Sequence, residues 1–82
     1  MAAMEEGKDV VIEGVIWQNP GRMSGRPCFY GSRVPIDSLW DYLEGGETLD
    51  RFLAGFPGVT REQAVKVMEL ARKGLAERFE AA

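Results

Sequence analysis

Any chemistry in this 82-residue chain has to come from a short list of side chains. Carboxylates stand in pairs at Asp37/Asp41 and Glu44/Glu47, the kind of pairing that general acid and base catalysis uses. Both pairs fall on the solvent side of short amphipathic segments, where nothing tunes a carboxyl, so a solvated face is the expected reading. Cys28 is the one cysteine, and the chain has no histidine. A thiol with no histidine to take its proton is poorly activated, and Cys28 is expected as a small buried core residue. The same counts exclude a His/Cys zinc site, a Ser-His-Asp triad and an intrachain disulfide framework. The run Gly21-Arg22-Met23-Ser24-Gly25-Arg26 offers amides and arginines to a phosphate. It lacks the lysine and the strand-to-helix setting of a P-loop, and it reads as a connecting loop. No enzyme, cofactor or metal is expected.

Binding is the better class. Arg61, Gln63 and Lys66 lie at the start of the last helix, the part of a helix-turn-helix that approaches base edges. The net charge of −3 counts against a strong non-specific nucleic-acid binder. It is unevenly spread: acidic residues dominate 1–13 and 41–60, whereas Arg22, Arg26 and Arg33 leave 14–40 with a positive balance. A basic patch would therefore have to be local. At 45% hydrophobic and 28% charged residues the composition is that of an ordinary globular domain. No apolar run approaches the roughly 20 residues that span a bilayer. An unpaired thiol fits a reducing, cytoplasmic setting.

These side chains need elements to hold them. Residues 1–9 are polar and expected to fray. Val10 to Trp17 is rich in β-branched and aromatic residues and reads as one strand, bent at Gly14. Turn chemistry at Asn19-Pro20-Gly21 and Ser24-Gly25 makes 18–26 a loop. Pro27 to Tyr30 is a second short strand, ended by Gly31-Ser32-Arg33, and the two strands can pair as a small hairpin.

From Ile36 the apolar period changes to about 3.6. Ile36, Leu39, Trp40 and Leu43 share a helix face, with Asp37 or Ser38 as cap and Gly45-Gly46 as stop. Thr48 caps a second helix carrying Leu49, Phe52, Leu53 and Phe56, which Gly55-Phe56-Pro57-Gly58 ends. Thr60 and Gln63 form a capping box for the longest helix. Its stripe is Ala64, Val67, Met68, Ala71, Leu75 and Phe79. The pairs Glu62–Lys66, Glu69–Lys73 and Lys73–Glu77 are spaced to support its outer face. Leu70 projects off the stripe, as a partner contact or as a plain exposed leucine. The open edge of the N-terminal strand invites pairing, so a homodimer through that strand or through the helices is expected. One domain spans 10–79, with 80–82 as a tail.

The order of motifs adds a resemblance. Asn19-Pro20, Gly25-Arg26-Pro27-Cys28-Phe29 and Gly31-Ser32-Arg33-Val34-Pro35-Ile36 are followed by Gly46-Glu47-Thr48, Phe56-Pro57 and Thr60-Arg61-Glu62-Gln63. Over about residues 16–75 this resembles a small prokaryotic family of domains of unknown function (DUF433-like). The resemblance implies a mostly helical, homeodomain-like or winged helix-turn-helix-like fold with a small N-terminal β hairpin. It also implies a VapB-like antitoxin that binds a PIN-like toxin and, as a dimer, operator DNA. The alternative is a protein-interaction module that never touches DNA. The matching signature residues are Gly25, Arg26, Pro27, Gly31, Ser32, Arg33 and Pro35, with Ser32 where threonine is usual. Glycines for tight turns and prolines that stiffen a strand make the signature look like architecture. Arg26 and Arg33 are expected either to tie the turn down or to contact phosphate or an acidic toxin surface.

Overall fold

The computed structural model describes residues 9–21 and 23–81. The expected frayed start over 1–8, Arg22 of the loop, the Phe79 side chain and the side chains of the 80–82 tail lie outside the described residues. In chain order come β1 (Val10–Ile12), β2 (Ile16–Gln18), a 3-10 turn at Met23–Gly25, β3 (Cys28–Phe29), α1 (Ile36–Glu44), α2 (Leu49–Gly55) and α3 (Arg61–Ala81). The architecture is mostly helical with a small antiparallel sheet at the N-terminal side, and its α2–turn–α3 order is compatible with a helix-turn-helix.

The sheet corrects the strand reading. Val10 to Trp17 is two strands joined by a reversal at Glu13-Gly14-Val15, with Val10 opposite Gln18 and Ile12 opposite Ile16. Glu13 and Gly14 both take left-handed backbone angles, φ 54 and 71. Two successive positive φ values turn a chain in the sense that matches the strand twist. The Val15 N–H closes the turn on the Ile12 carbonyl at 3.0 Å. A Glu-Gly pair is a weaker turn signal than Asn-Gly, so a bend and a full reversal look alike in sequence. β2 also pairs with β3, Ile16 opposite Phe29, and the sheet has the order β1-β2-β3 with β1 at an edge.

The helices begin and end by local chemistry. α1 is entered through Pro35 (φ −63, ψ 145) with no side-chain cap, so neither Asp37 nor Ser38 serves there. The reason is that the strand before the helix already satisfies its start: the Ile36 N–H reaches the Pro27 carbonyl and the Ser38 N–H the Pro35 carbonyl, each at 3.0 Å. At the other end Gly46 takes φ 89, the Glu47 N–H donates to the Tyr42 carbonyl and the Gly46 N–H to the Leu43 carbonyl. This pair of bonds is a Schellman stop, which needs a left-handed residue at that position. The Thr48 hydroxyl accepts from the Arg51 N–H at 3.1 Å. Thr60 and Gln63 cap each other, the Gln63 N–H on the Thr60 hydroxyl and the Thr60 N–H on the Gln63 amide oxygen, both at 3.0 Å.

The core gathers one side of each helix and the last strand. Phe29, Leu39, Phe52 and Ala64 are fully buried, with Ile36, Val59 and Val67 nearly so. Phe52 is its centre: its ring lies 5.8 Å from Phe29, 5.5 Å from Tyr42 and 5.0 Å from Phe56. Tilted and edge-on aromatic pairs at these spacings add to the stability gained from area alone. The α3 stripe is covered only in its first part. Ala64 and Val67 are buried and Met68 packs on the core, whereas Ala71 is exposed and Leu75 is 57% exposed. A helix of 21 residues is about 31 Å long, more than α1 and α2 together can cover.

Candidate functional site

The signature residues build one structure, a tight return from β3 into α1. Phe29 donates its N–H to the Val34 carbonyl and Ser32 its N–H to the Phe29 carbonyl, both at 3.0 Å. Cys28 bridges to Pro35 as a short antiparallel contact. Gly31 sits inside the turn at φ 82, a conformation an L side chain rarely adopts. The Ser32 hydroxyl does two jobs: it donates to the Phe29 carbonyl at 2.8 Å and accepts from the Val34 N–H at 3.1 Å. A threonine would supply the same oxygen. Pro35 fixes the angle at which the chain enters α1.

The loop before β3 is held in the same manner. Asn19 is buried; its carbonyl oxygen accepts from the Gly21 N–H at 2.7 Å and its amide donates to Asp9 at 2.9 Å. The Gln18 amide donates to the Gly25 carbonyl at 2.6 Å, and Gly25 takes φ 78. Cys28 is 1% exposed and its thiol points back to the Arg26 carbonyl at 3.5 Å. The described residues of the run, Gly21 and 23–26, thus form a folded connection, and the thiol is a core group.

What the turn presents outward differs from what it is made of. Tyr30 is 44% exposed and its ring tilts against Trp17 at 5.0 Å. The Trp17 indole N–H donates to the Ser32 carbonyl at 2.9 Å, which seats the pair on the turn. Arg33 is exposed at the same apex. Among the described residues ion pairs join Arg26 to Asp37 at 3.4 Å, Arg51 to Glu47 at 3.6 Å and Arg61 to Asp50; Arg33 has none. Of the two signature arginines, Arg26 is therefore tied to α1 while Arg33 is free to meet an anion.

The three residues expected at the start of α3 are not presented together. Arg61 is held by Asp50 of α2. Gln63 is used at both ends of its amide: the oxygen caps Thr60 and the nitrogen donates to the Tyr30 carbonyl at 3.0 Å. Lys66 is half-buried and lies along α3 in an open cleft with Glu13, Glu69, Arg72 and Lys73. The pairs expected along α3 (Glu62–Lys66, Glu69–Lys73 and Lys73–Glu77) are not among the ion pairs of the described residues. Sequence reasoning missed Tyr30 as a surface group, because an aromatic in a short strand reads as core. It also missed the Gln63–Tyr30 bond, which no local spacing signals.

A second open cleft lies between α1 and α2, bordered by Asp41, Tyr42, Glu47 and Arg51. Tyr42 packs its ring on Phe52 and its hydroxyl close over Gly55, where an added Cβ would stand 3.2 Å from it. No group of three or more His, Cys, Asp or Glu side chains that could hold a metal occurs among the described residues. Among them, too, no helix is long and apolar enough to cross a membrane.

The family model described as "Protein of unknown function (DUF433)" covers residues 16–71, from β2 into α3. No curated protein and no solved structure matches the chain.

Proposed function

The chain belongs to the DUF433 family, and from that membership we propose that it is a non-enzymatic regulator of the antitoxin type, binding operator DNA as a dimer and silencing a PIN-like toxin. The observation that carries the reading is the signature turn. It presents Arg33 exposed and without an ion-pair partner, on a loop that Gln63 ties to the first turn of α3. A cation on a braced loop beside a helix-turn-helix suits phosphate contact, which positions a binding helix without reading sequence. The fully buried Cys28 supports a role without a nucleophile. Arg26 and Arg61 already have carboxylate partners and add to phosphate binding only by exchanging them.

The test is fluorescence anisotropy with the DNA upstream of the chain's own gene and a scrambled duplex, across a salt series. Preferential binding that weakens with salt and falls about tenfold in Arg33→Ala supports the reading. Equal, weak binding to both duplexes overturns its DNA half.

A second reading is favoured by one observation. Arg61 and Gln63, the residues that would approach bases, are engaged within the fold, while Asp41 and Glu44 are exposed, stand outside the ion pairs of the described residues and leave the α1–α2 side acidic. A protein-interaction module that meets a basic partner there, with no DNA contact, would use that side. Co-purification with the neighbouring gene product in the absence of DNA binding is its signature.

A further inference from the structure

The sheet has two faces, and the core uses one of them. Ile16 stands opposite Phe29, and both pack with the helices. Successive side chains on a strand point to opposite faces, which sets Trp17 and its cross-strand neighbours Val11 and Cys28 on the other face. Tyr30 follows Cys28 by two residues, and its N–H still donates to the Val15 carbonyl at 2.8 Å, so it continues that second face. There its ring is backed by Trp17 at 5.0 Å and remains 44% exposed.

This aromatic group is held in place by the fold itself. The Trp17 indole N–H is fixed on the Ser32 carbonyl, and the Tyr30 carbonyl is fixed by the Gln63 amide. The bond from the Phe29 N–H to the Val34 carbonyl closes residues 30–33 into one loop, which puts Arg33 across from Tyr30. A flat, half-exposed ring thus stands beside a cation that has no ion-pair partner. A purely apolar partner would cover the ring and leave the guanidinium desolvated without a counter-charge. A lone phosphate would meet the guanidinium and leave the ring bare. A nucleotide brings a flat base and a phosphate together. A duplex keeps its base faces stacked inside, whereas an unpaired strand offers them.

We propose that this face of the sheet binds single-stranded nucleic acid, one base stacking on Tyr30 and the adjoining phosphate meeting Arg33. Aromatic side chains on a small sheet hold unpaired bases in this way, and the stack accepts any base because each has a π face. With a single phosphate contact the salt dependence should be shallow, a log–log slope of about −0.7. The proposal does not rest on the operator reading above: both use Arg33, and only this one uses Tyr30.

The test is fluorescence anisotropy on the full chain with a labelled strand of twelve thymidines, a duplex of the same length and inorganic polyphosphate as competitor. Wild type should prefer the single strand to the duplex, and polyphosphate should compete poorly because it has no base. Tyr30→Phe keeps the ring and should bind as wild type does; Tyr30→Ala should bind about tenfold more weakly. Should Tyr30→Ala fail to fold by circular dichroism, Tyr30→Leu decides, because it keeps apolar bulk against Trp17 without a flat ring. Wild-type affinity in Tyr30→Leu, or competition by polyphosphate as strong as by the single strand, overturns the proposal. Absence of single-strand binding overturns it too and returns the patch to an acidic protein segment, while the operator reading is judged separately by the duplex and Arg33→Ala.

Discussion

The side-chain amide of Gln63 donates to the backbone carbonyl of Tyr30 at 3.0 Å, joining the first turn of α3 to the signature turn 33 residues earlier. The same side chain caps α3 through Thr60. One residue thus starts a helix and fixes a loop against it, and substitutions separate the two tasks. Gln63→Glu keeps an oxygen for the Thr60 N–H but loses the donor to Tyr30. It should leave helix content unchanged and raise hydrogen exchange at Tyr30–Arg33. Gln63→Ala loses both and should cost about 1–2 kcal/mol, read as a lower urea midpoint. Equal exchange in wild type and Gln63→Glu would show that the turn does not need the bond.

Ser32 offers a sharper comparison. Its hydroxyl serves the Phe29 carbonyl and the Val34 N–H together. Ser32→Ala leaves both without a side-chain partner and should lower stability by about 1–2 kcal/mol in urea unfolding. Ser32→Thr keeps the oxygen and should stay within about 0.5 kcal/mol of wild type.

Arg33 is predicted to matter for binding and hardly at all for folding. It is exposed and has no ion-pair partner, so Arg33→Ala should shift the thermal midpoint very little. A large loss of stability would show that the fold itself depends on the residue.

Phe52 lies at the other extreme. It is fully buried with three aromatic neighbours, and truncation to alanine leaves a cavity. The expected cost is about 3–5 kcal/mol. A domain of this length has roughly 4–12 kcal/mol in total, so Phe52→Ala should be largely or partly unfolded by circular dichroism at 37 °C.

Cys28 supplies a check on the core from a different direction. At 1% exposure its thiol should react with a water-soluble disulfide reagent only as fast as the domain opens, and at once in urea. Rapid reaction in buffer would mean that β3 opens independently of the helices.

The helical half was legible because its signals are local. The 3.6-residue period placed α1, α2 and the start of α3, and the Thr48 cap and the Thr60–Gln63 box stand where their spacing put them. The misreadings arose where a neighbouring element took over a local role. Asp37 and Ser38 were plausible caps until the Pro27 carbonyl took the first N–H of α1. Val10 to Trp17 looked like one strand because alternation does not distinguish a bend at Gly14 from a reversal. At the site, the turn-forming roles of Gly31, Ser32 and Pro35 followed from residue type. The fates of Arg61 and Gln63 did not, because Asp50 and Tyr30 are brought to them only by tertiary packing.

The sheet closes in short steps, Ile16 and Phe29 being the most widely spaced pair in its ladders. The Tyr30–Gln63 bond spans far more chain. Loops cost more entropy to close as they lengthen, so the ladders and helical turns can assemble before this long closure completes the domain. Weakening that late link should therefore accelerate unfolding and leave the refolding rate almost as it was, which a pair of stopped-flow limbs on Gln63→Glu would display.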